Sequence, residues 1–238
     1  MGIPTAFSLA QVVSTLFIAT NAREFFHFKL EWNEQVKGMV KQIFYLFIFY
    51  GIYPIYMLAD NIFASSLPTK FISALNYGIL IAYLPAAILR FSKISVTSLS
   101  ENKAALNKLE QYFLFLIVFS LPIIIGCWLF IVPVLKFFLA YGRLTMLDVR
   151  LISKAVRYYI LGLPFFLCWP VMYNAYLVKN RLPSLILIVI VGLFINIFLK
   201  FYFVFHLKLA IIGITFPTLI AYAFICVAAF VLLKTSEK

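Results

Sequence analysis

The feature that most constrains this chain is a series of seven continuous apolar runs. Each is close to or longer than the roughly 18 residues that a helix needs to cross the hydrocarbon core of a bilayer. None alternates apolar and polar residues, as the strands of a membrane barrel do. The pattern predicts an all-α, polytopic membrane protein with about seven transmembrane helices. The runs are Ile3–Thr20, Ile43–Ser65, Phe71–Val96, Tyr112–Leu135, Val156–Val178, Leu182–Phe205 and Leu209–Leu233.

Composition supports a membrane protein over a soluble one. Hydrophobic residues make up 65% of the chain and charged residues 12%, whereas soluble domains are about half apolar and a quarter charged. The net charge of +12 is explained by basic loops on the cytoplasmic side of the membrane. If the carboxyl terminus is cytoplasmic, 12 of the 20 Lys and Arg residues lie on that side. We therefore expect membrane lipids, and no nucleic acid, as partners.

Polar interruptions suggest how the chain is organised. Residues 1–20 form an isolated first transmembrane helix, and the charged segment 21–41 reads as a connector. Residues 42–238 hold the other six runs and are expected to form one lobe. Lys136–Lys154 mixes apolar and charged residues at helical spacing, which predicts an amphipathic helix in the membrane interface. The short segment Lys179–Pro183 predicts a tight helical hairpin.

Polar side chains within apolar spans are candidate functional residues, because burying them in a membrane is costly. Arg90 and Lys93 lie three residues apart and so share a helix face. If that face points inward, the two cations suit a phosphate-bearing substrate; alternatively, they extend to the lipid headgroups. For Asn174 and Asn196, the alternative is a hydrogen bond that bridges neighbouring helices. The candidates within or at the ends of the runs are Asp60, Arg90, Lys93, Asn174, Asn196 and Lys200.

The sequence offers no sign of catalysis. There is no glycine-rich phosphate loop and no nucleophile with a base at a readable spacing. Cys127, Cys168 and Cys226 each lie alone in an apolar run, which favours neither disulfides nor a metal site. We expect a protein that is not an enzyme and that has no metal.

Four segments, in this order and spacing, resemble the MurJ/MviN lipid II flippases. Leu58–Pro68 is similar to the seventh helix of that family, with its acidic residue. Ser73–Glu101 resembles the eighth, with a Leu-Asn-Tyr start and a Leu-Pro. Phe138–Ile186 is similar to the next stretch, with an interfacial segment, a Gly-Leu-Pro helix and a Tyr-Ala hairpin. Asn196 together with Gly213–Tyr222 matches the closing helix pair.

The resemblance implies a fold and a function. It implies the carboxy-terminal lobe of a flippase of the multidrug/oligosaccharidyl-lipid/polysaccharide superfamily, in the bacterial cytoplasmic (inner) membrane. Lipid II would move from the inner to the outer leaflet by alternating access, for cell wall biogenesis. The implied partners are an undecaprenyl-linked saccharide lipid and a missing amino-terminal lobe or second chain. The alternatives are an O-antigen or exopolysaccharide-repeat flippase, and a non-transporting truncated relic.

The resemblance also implies two groups of site residues. A cavity arginine common in the family is absent near Gly78, so Arg90 or Lys93 would replace it in binding substrate. The substrate-binding candidates are Arg90, Lys93, Asn76 and Asn174. The ion-coupling candidates are Asp60, Asn196, Lys200 and Thr218.

Lys200 affects whether we expect transport to be coupled to a monovalent cation. Sodium-linked members of the family are thought to have an acid where this chain has Lys200. A fixed ammonium there would stand in for the cation, which argues against sodium coupling while leaving coupling to a monovalent cation open. No other cofactor is expected.

Overall fold

A computed structural model describes residues 33–89, 99, 101, 106–139 and 144–235. The chain divides into two compact units, Met1–Lys41 and Gln42–Lys238, and of the first unit only residues 33–41 are described. The predicted first helix and most of the predicted connector lie outside the described residues. The division into one helix plus a six-helix lobe therefore stays a prediction.

The described residues form seven α-helices and one π-helical segment. Five of the α-helices are each long and apolar enough to cross a membrane, and two others form a bent pair that would bring the number of candidate spans to six. The prediction of an all-α polytopic membrane protein is confirmed. The helices are α1 (Glu34–Ser65), α2 (Thr69–Leu89), α3 (Leu106–Leu139), α4 (Met146–Ile160), α5 (Leu163–Val178), α6 (Leu182–Phe201) with the π-helical segment Tyr202–His206, and α7 (Ile211–Thr235).

Helix α4 differs from the helix predicted at Lys136–Lys154. The first residues of that segment continue α3, and α4 begins at Met146 behind a capping box. The side chain of Asp148 accepts a hydrogen bond from the backbone N–H of Thr145 at 2.9 Å, and Thr145 Oγ1 accepts one from the backbone N–H of Asp148 at 3.4 Å. This reciprocal pairing satisfies two free donors and sets the start of the helix. Its location in the membrane interface stays a prediction.

Helices α4 and α5 form a bent pair that is long and apolar enough to be counted together as one candidate span. Their axes differ by 48°, and the break falls at Leu161 and Gly162. Pro164 follows in the first turn of α5, a position where a proline needs no intrahelical hydrogen bond. The turn between α5 and α6 is the predicted tight hairpin, with Asn180 in the left-handed region at φ 55°. The hairpin prediction is confirmed.

Helix α4 lies between α2, α3 and α7 and packs closely on α2. A Cβ atom added at Gly78 would lie 2.5 Å from the Cβ of Ala155 and 3.3 Å from its backbone carbonyl carbon. Neither atom can swing away, so only a glycine permits this approach of the two helices. Small residues are the usual means by which membrane helices pack closely.

We predict that Gly78→Ala destabilises the protein by about 1–3 kcal/mol, because the added methyl group overpacks the α2–α4 contact. The measurement is unfolding of the purified protein in mixed micelles. Gly126→Ala on α3 is the matched control, since a Cβ there meets no atom within 4 Å. Equal stability of the two variants would contradict the close packing.

Candidate functional site

A buried polar cluster joins three of the transmembrane helices. Asp60 comes from α1, Asn196 and Lys200 from α6, and Thr218 from α7. Asn196 and Lys200 are four residues apart and therefore lie on one face of α6. Lys200 and Asn196 are each 0% exposed, and Thr218 is 3% exposed. These four residues are the ion-coupling candidates of the sequence, and the structure brings all of them together; their role stays a prediction.

The ammonium of Lys200 is held by oxygen atoms. Its Nζ donates hydrogen bonds to Oδ1 of Asp60 and to Oδ1 of Asn196. The amide nitrogen of Asn196 is within 3.4 Å of Thr218 Oγ1, to which it donates. Thr218 in turn donates to the backbone carbonyl of Ile214 at 3.1 Å. The contacts therefore run unbroken from α1 through α6 to α7.

Tyr159 completes the cluster, and the sequence did not single it out. Its hydroxyl donates to Oδ2 of Asp60 at 3.3 Å, so both oxygens of that carboxylate are engaged. The ring is 2% exposed and lies two residues before the break at Leu161 and Gly162. The chain has 14 tyrosines, and Tyr158 stands directly beside this one. Only the burial of the α4 face that it shares with Ile152 could have indicated its role.

The electrostatics of the cluster depend on pairing. The side chain of Asp60 is 13% exposed and that of Lys200 is 0% exposed. An isolated charge at such a site would be very costly, whereas the pair is neutral overall and hydrogen-bonded. The arrangement holds α1 against α6, and Tyr159 ties it to the helix break.

The cluster does not fit a bound monovalent cation. Carboxylate, amide and hydroxyl oxygens are the ligands such an ion would need, but the Lys200 ammonium already lies against Asp60 and Asn196. Within the described part of the chain, no group of three or more His, Cys, Asp and Glu residues is placed to hold a metal ion.

The structure describes two of the four predicted substrate-binding residues. Asn76 is exposed on α2, and Asn174 is buried in α5. Arg90 and Lys93 lie outside the described residues. The structure therefore places two of the four and leaves the role of each a prediction.

An apolar cavity of about 280 Å³ lies between α1, α5, α6 and α7, and the sequence did not reveal it. Phe49 forms its aromatic wall, with its ring stacked on Trp169 at 5.5 Å and on Tyr173 at 4.8 Å between centroids. The cavity shares no residue with the polar cluster. Its lining is Phe49, Tyr50, Ile52, Pro54, Tyr56, Trp169, Val189, Tyr222 and Ile225.

The fold is similar to that of two solved structures described as transporters of the MOP superfamily. The chain matches the structure titled "Reverse polarity of binding pocket suggests different function of a MOP superfamily transporter from Pyrococcus furiosus Vc1 (DSM3638)", with a TM-score of 0.64 and 18% identity over 81% of this chain and 43% of that one. It also matches an outward-facing multidrug resistance MATE family transporter of the same superfamily, with a TM-score of 0.58 and 17% identity over 81% of this chain and 44% of that one. At these identities the likeness shows the fold alone.

Sequence comparison gives the family. Residues 5–238 match the family described as Lipid II flippase MurJ, and the chain belongs to this family. It is also 34% identical over 104 residues to the Lipid II flippase MurJ of Thermosipho africanus (strain TCF52B), an alignment that covers 43% of this chain and 21% of that protein. The chain thus spans less than half the length of the solved structures that it matches.

Proposed function

We propose that this chain forms one lobe of a flippase that moves lipid II, the lipid-linked peptidoglycan precursor, from the inner to the outer leaflet of the cytoplasmic membrane for cell wall biogenesis. Membership of the lipid II flippase family supports the substrate, and the likeness to MOP superfamily transporters supports translocation. The observation that carries the proposal is the buried cluster of Asp60, Tyr159, Asn196, Lys200 and Thr218, because it links three transmembrane helices to a helix break.

The mechanism we propose is alternating access. In transporters of repeated architecture, one lobe rocks against the other around a site near the middle of the membrane. This chain aligns with 43–44% of the length of the solved transporters, so a second lobe would supply the opposite wall of the cavity. That lobe would come from another stretch of polypeptide or another chain. The aromatic cavity would offer apolar surface to the prenyl chain of the substrate.

The break between α4 and α5 is the part of this lobe best suited to move. Its bend ends one turn after Tyr159, whose hydroxyl contacts Asp60. A change in the bend would therefore lengthen or shorten that contact. Because interfaces of this kind are bistable, a small shift at the cluster would be amplified along α5.

Lys200 replaces a transported cation in this proposal. Its ammonium lies against the Asp60 carboxylate and would neutralise it, so no ion would have to bind at the cluster before the lobe closes. We predict that replacing external sodium with choline leaves the exposure of lipid II on the outer leaflet within about twofold of its normal rate. The measurement is labelling of outer-leaflet lipid II in intact host cells. A loss of exposure without sodium would contradict the role of Lys200.

The substrate is tested by depleting the protein in its own host. Exposure of lipid II on the outer leaflet is expected to fall while total lipid II accumulates, because the precursor is still made but not moved. An uncharged lipid with a fluorescent head group, whose transfer is expected to stay unchanged, controls for membrane damage. Unchanged exposure would exclude lipid II and favour another undecaprenyl-linked saccharide, such as an O-antigen or exopolysaccharide repeat.

A further inference from the structure

A cationic stripe runs along one face of α4. Arg150, Lys154 and Arg157 follow one another at intervals of four and three residues, which places them on one side of a helix. Arg150 and Lys154 are exposed and Arg157 is half-buried. Among the described residues, none of the three takes part in an ion pair. Three cations in an apolar helix pair, without an ionic partner among the residues that the structure describes, call for an anion.

Arg157 is prepared for such a ligand. The carbon of its guanidinium lies 5.7 Å from the centre of the Trp128 ring on α3, a distance at which the cation is attracted to the ring face. The indole N–H of Trp128 donates to the backbone carbonyl of Arg157 at 3.1 Å, which fixes the ring against α4. The Nε atom of Arg157 is buried and lacks a hydrogen-bond partner. The guanidinium is thus positioned, but its donors are not all used.

The surface next to the stripe is apolar. Ile125, Trp128 and Leu129 share one face of α3 and are 59%, 40% and 65% exposed. A water-soluble anion would leave this face uncovered, whereas a lipid with a phosphate would cover both surfaces at once. Its phosphate would meet the cations, and its hydrocarbon chain would lie along α3.

The position of the stripe favours a bilayer lipid over the transported substrate. Tyr159, which contacts Asp60, lies two residues from Arg157 and therefore on the opposite side of α4. The stripe and the polar cluster are separated by the body of the helix. A lipid bound at the stripe is therefore not positioned at the cluster that we assign to transport.

We propose that Arg150, Lys154, Arg157 and Trp128 form a binding site for an anionic phospholipid of the surrounding bilayer. Guanidinium and ammonium groups bind phosphate oxygens strongly where water is scarce. The phosphate of the lipid would lie against the three cations, and its hydrocarbon chain would lie along the exposed face of α3. The site does not depend on the transport activity of the chain.

The test is titration of the purified full chain in neutral detergent with phosphatidylglycerol, with bound lipid counted by native mass spectrometry. The triple variant Arg150→Gln/Lys154→Gln/Arg157→Gln is expected to bind about tenfold more weakly, since each removed cation weakens the attraction to phosphate. The matched variant Lys41→Gln/Lys108→Gln/Lys208→Gln removes the same charge from exposed positions elsewhere and is expected to bind as the unmodified protein does.

Two further measurements make the result specific. Trp128→Leu keeps every charge and is expected to weaken binding about threefold, because the ring under the guanidinium is lost. This variant also tests the site if the triple variant does not fold. Equal affinity of the unmodified protein and both stripe variants would overturn the site. Displacement of phosphatidylglycerol by an equimolar polyprenyl phosphate would overturn the assignment to a bilayer lipid and indicate the substrate instead.

Discussion

Replacing Lys200 with methionine is expected to cost about 3–5 kcal/mol of folding free energy, because it leaves the Asp60 carboxylate buried beside α6 without a counter-charge. Methionine keeps the approximate length of the side chain, so the loss reports charge and not packing. The measurement is unfolding in mixed micelles at neutral pH. This is the largest single-residue effect that the structure predicts.

Two variants separate the ion pair from a general effect of removing a lysine. Lys208→Met alters an exposed lysine just beyond the same helix and is expected to change stability by less than about 0.5 kcal/mol. The double variant Asp60→Asn/Lys200→Met removes both charges and is expected to recover most of the loss, because a neutral pair leaves no uncompensated charge. Equal losses in Lys200→Met and the double variant would contradict the pairing.

Replacing Lys200 with aspartate is expected to make the stability of the protein depend on sodium. The ammonium disappears, and the introduced carboxylate joins Asp60, Asn196 and Thr218 in a cluster made only of oxygen ligands. Two buried carboxylates repel each other, so the variant should be strongly destabilised in choline chloride. Sodium that binds the folded state should restore about 3 kcal/mol at a concentration ~100-fold above its Kd.

Lys200→Asn is the matched control for that experiment. It removes the ammonium and adds an amide of the same shape, but no second carboxylate. It is expected to respond to sodium much more weakly than Lys200→Asp. If neither variant responds to sodium and both unfold at the same denaturant concentration, the Lys200 ammonium does not occupy the place of a cation.

The number and type of helices could be predicted from the sequence because apolar length is what a bilayer requires. Six of the predicted runs correspond to candidate spans in the described residues, and the first run lies outside them. The boundaries were harder to predict. Helix α4 contains Asp148, Arg150, Lys154 and Arg157, so hydropathy placed its first half outside the span that it shares with α5.

The polar cluster was predicted in part. Helical spacing alone places Asn196 and Lys200 on one face of α6. Their meeting with Asp60 and Thr218 depends on how three helices are rotated, and helices that are apolar on every side carry no periodic signal of that rotation. The resemblance to the flippase family supplied the grouping. Tyr159 was missed because one more tyrosine in an apolar run looks like core.

The stripe on α4 was missed for the opposite reason. Arg150 and Lys154 were predicted to lie on an amphipathic helix in the membrane interface, where basic residues are expected. Only the start of α4 at Met146 and the contact of Arg157 with Trp128 show that the three cations lie along one continuous helix that packs on α3. The spacing of the three cations in the sequence places them on one face of a helix, but the sequence did not show how far that helix extends.

The most direct test of the central claim is the exposure of lipid II in host cells depleted of the native protein and supplied with Asp60→Asn/Lys200→Met. We expect this variant to fold and reach the membrane while lipid II exposure stays at the depleted level, because the charged pair that links α1 to α6 is gone. The unmodified protein and Lys208→Met should both restore exposure. Full restoration by the double variant would show that the cluster only stabilises the fold, and would contradict its assignment as the functional site.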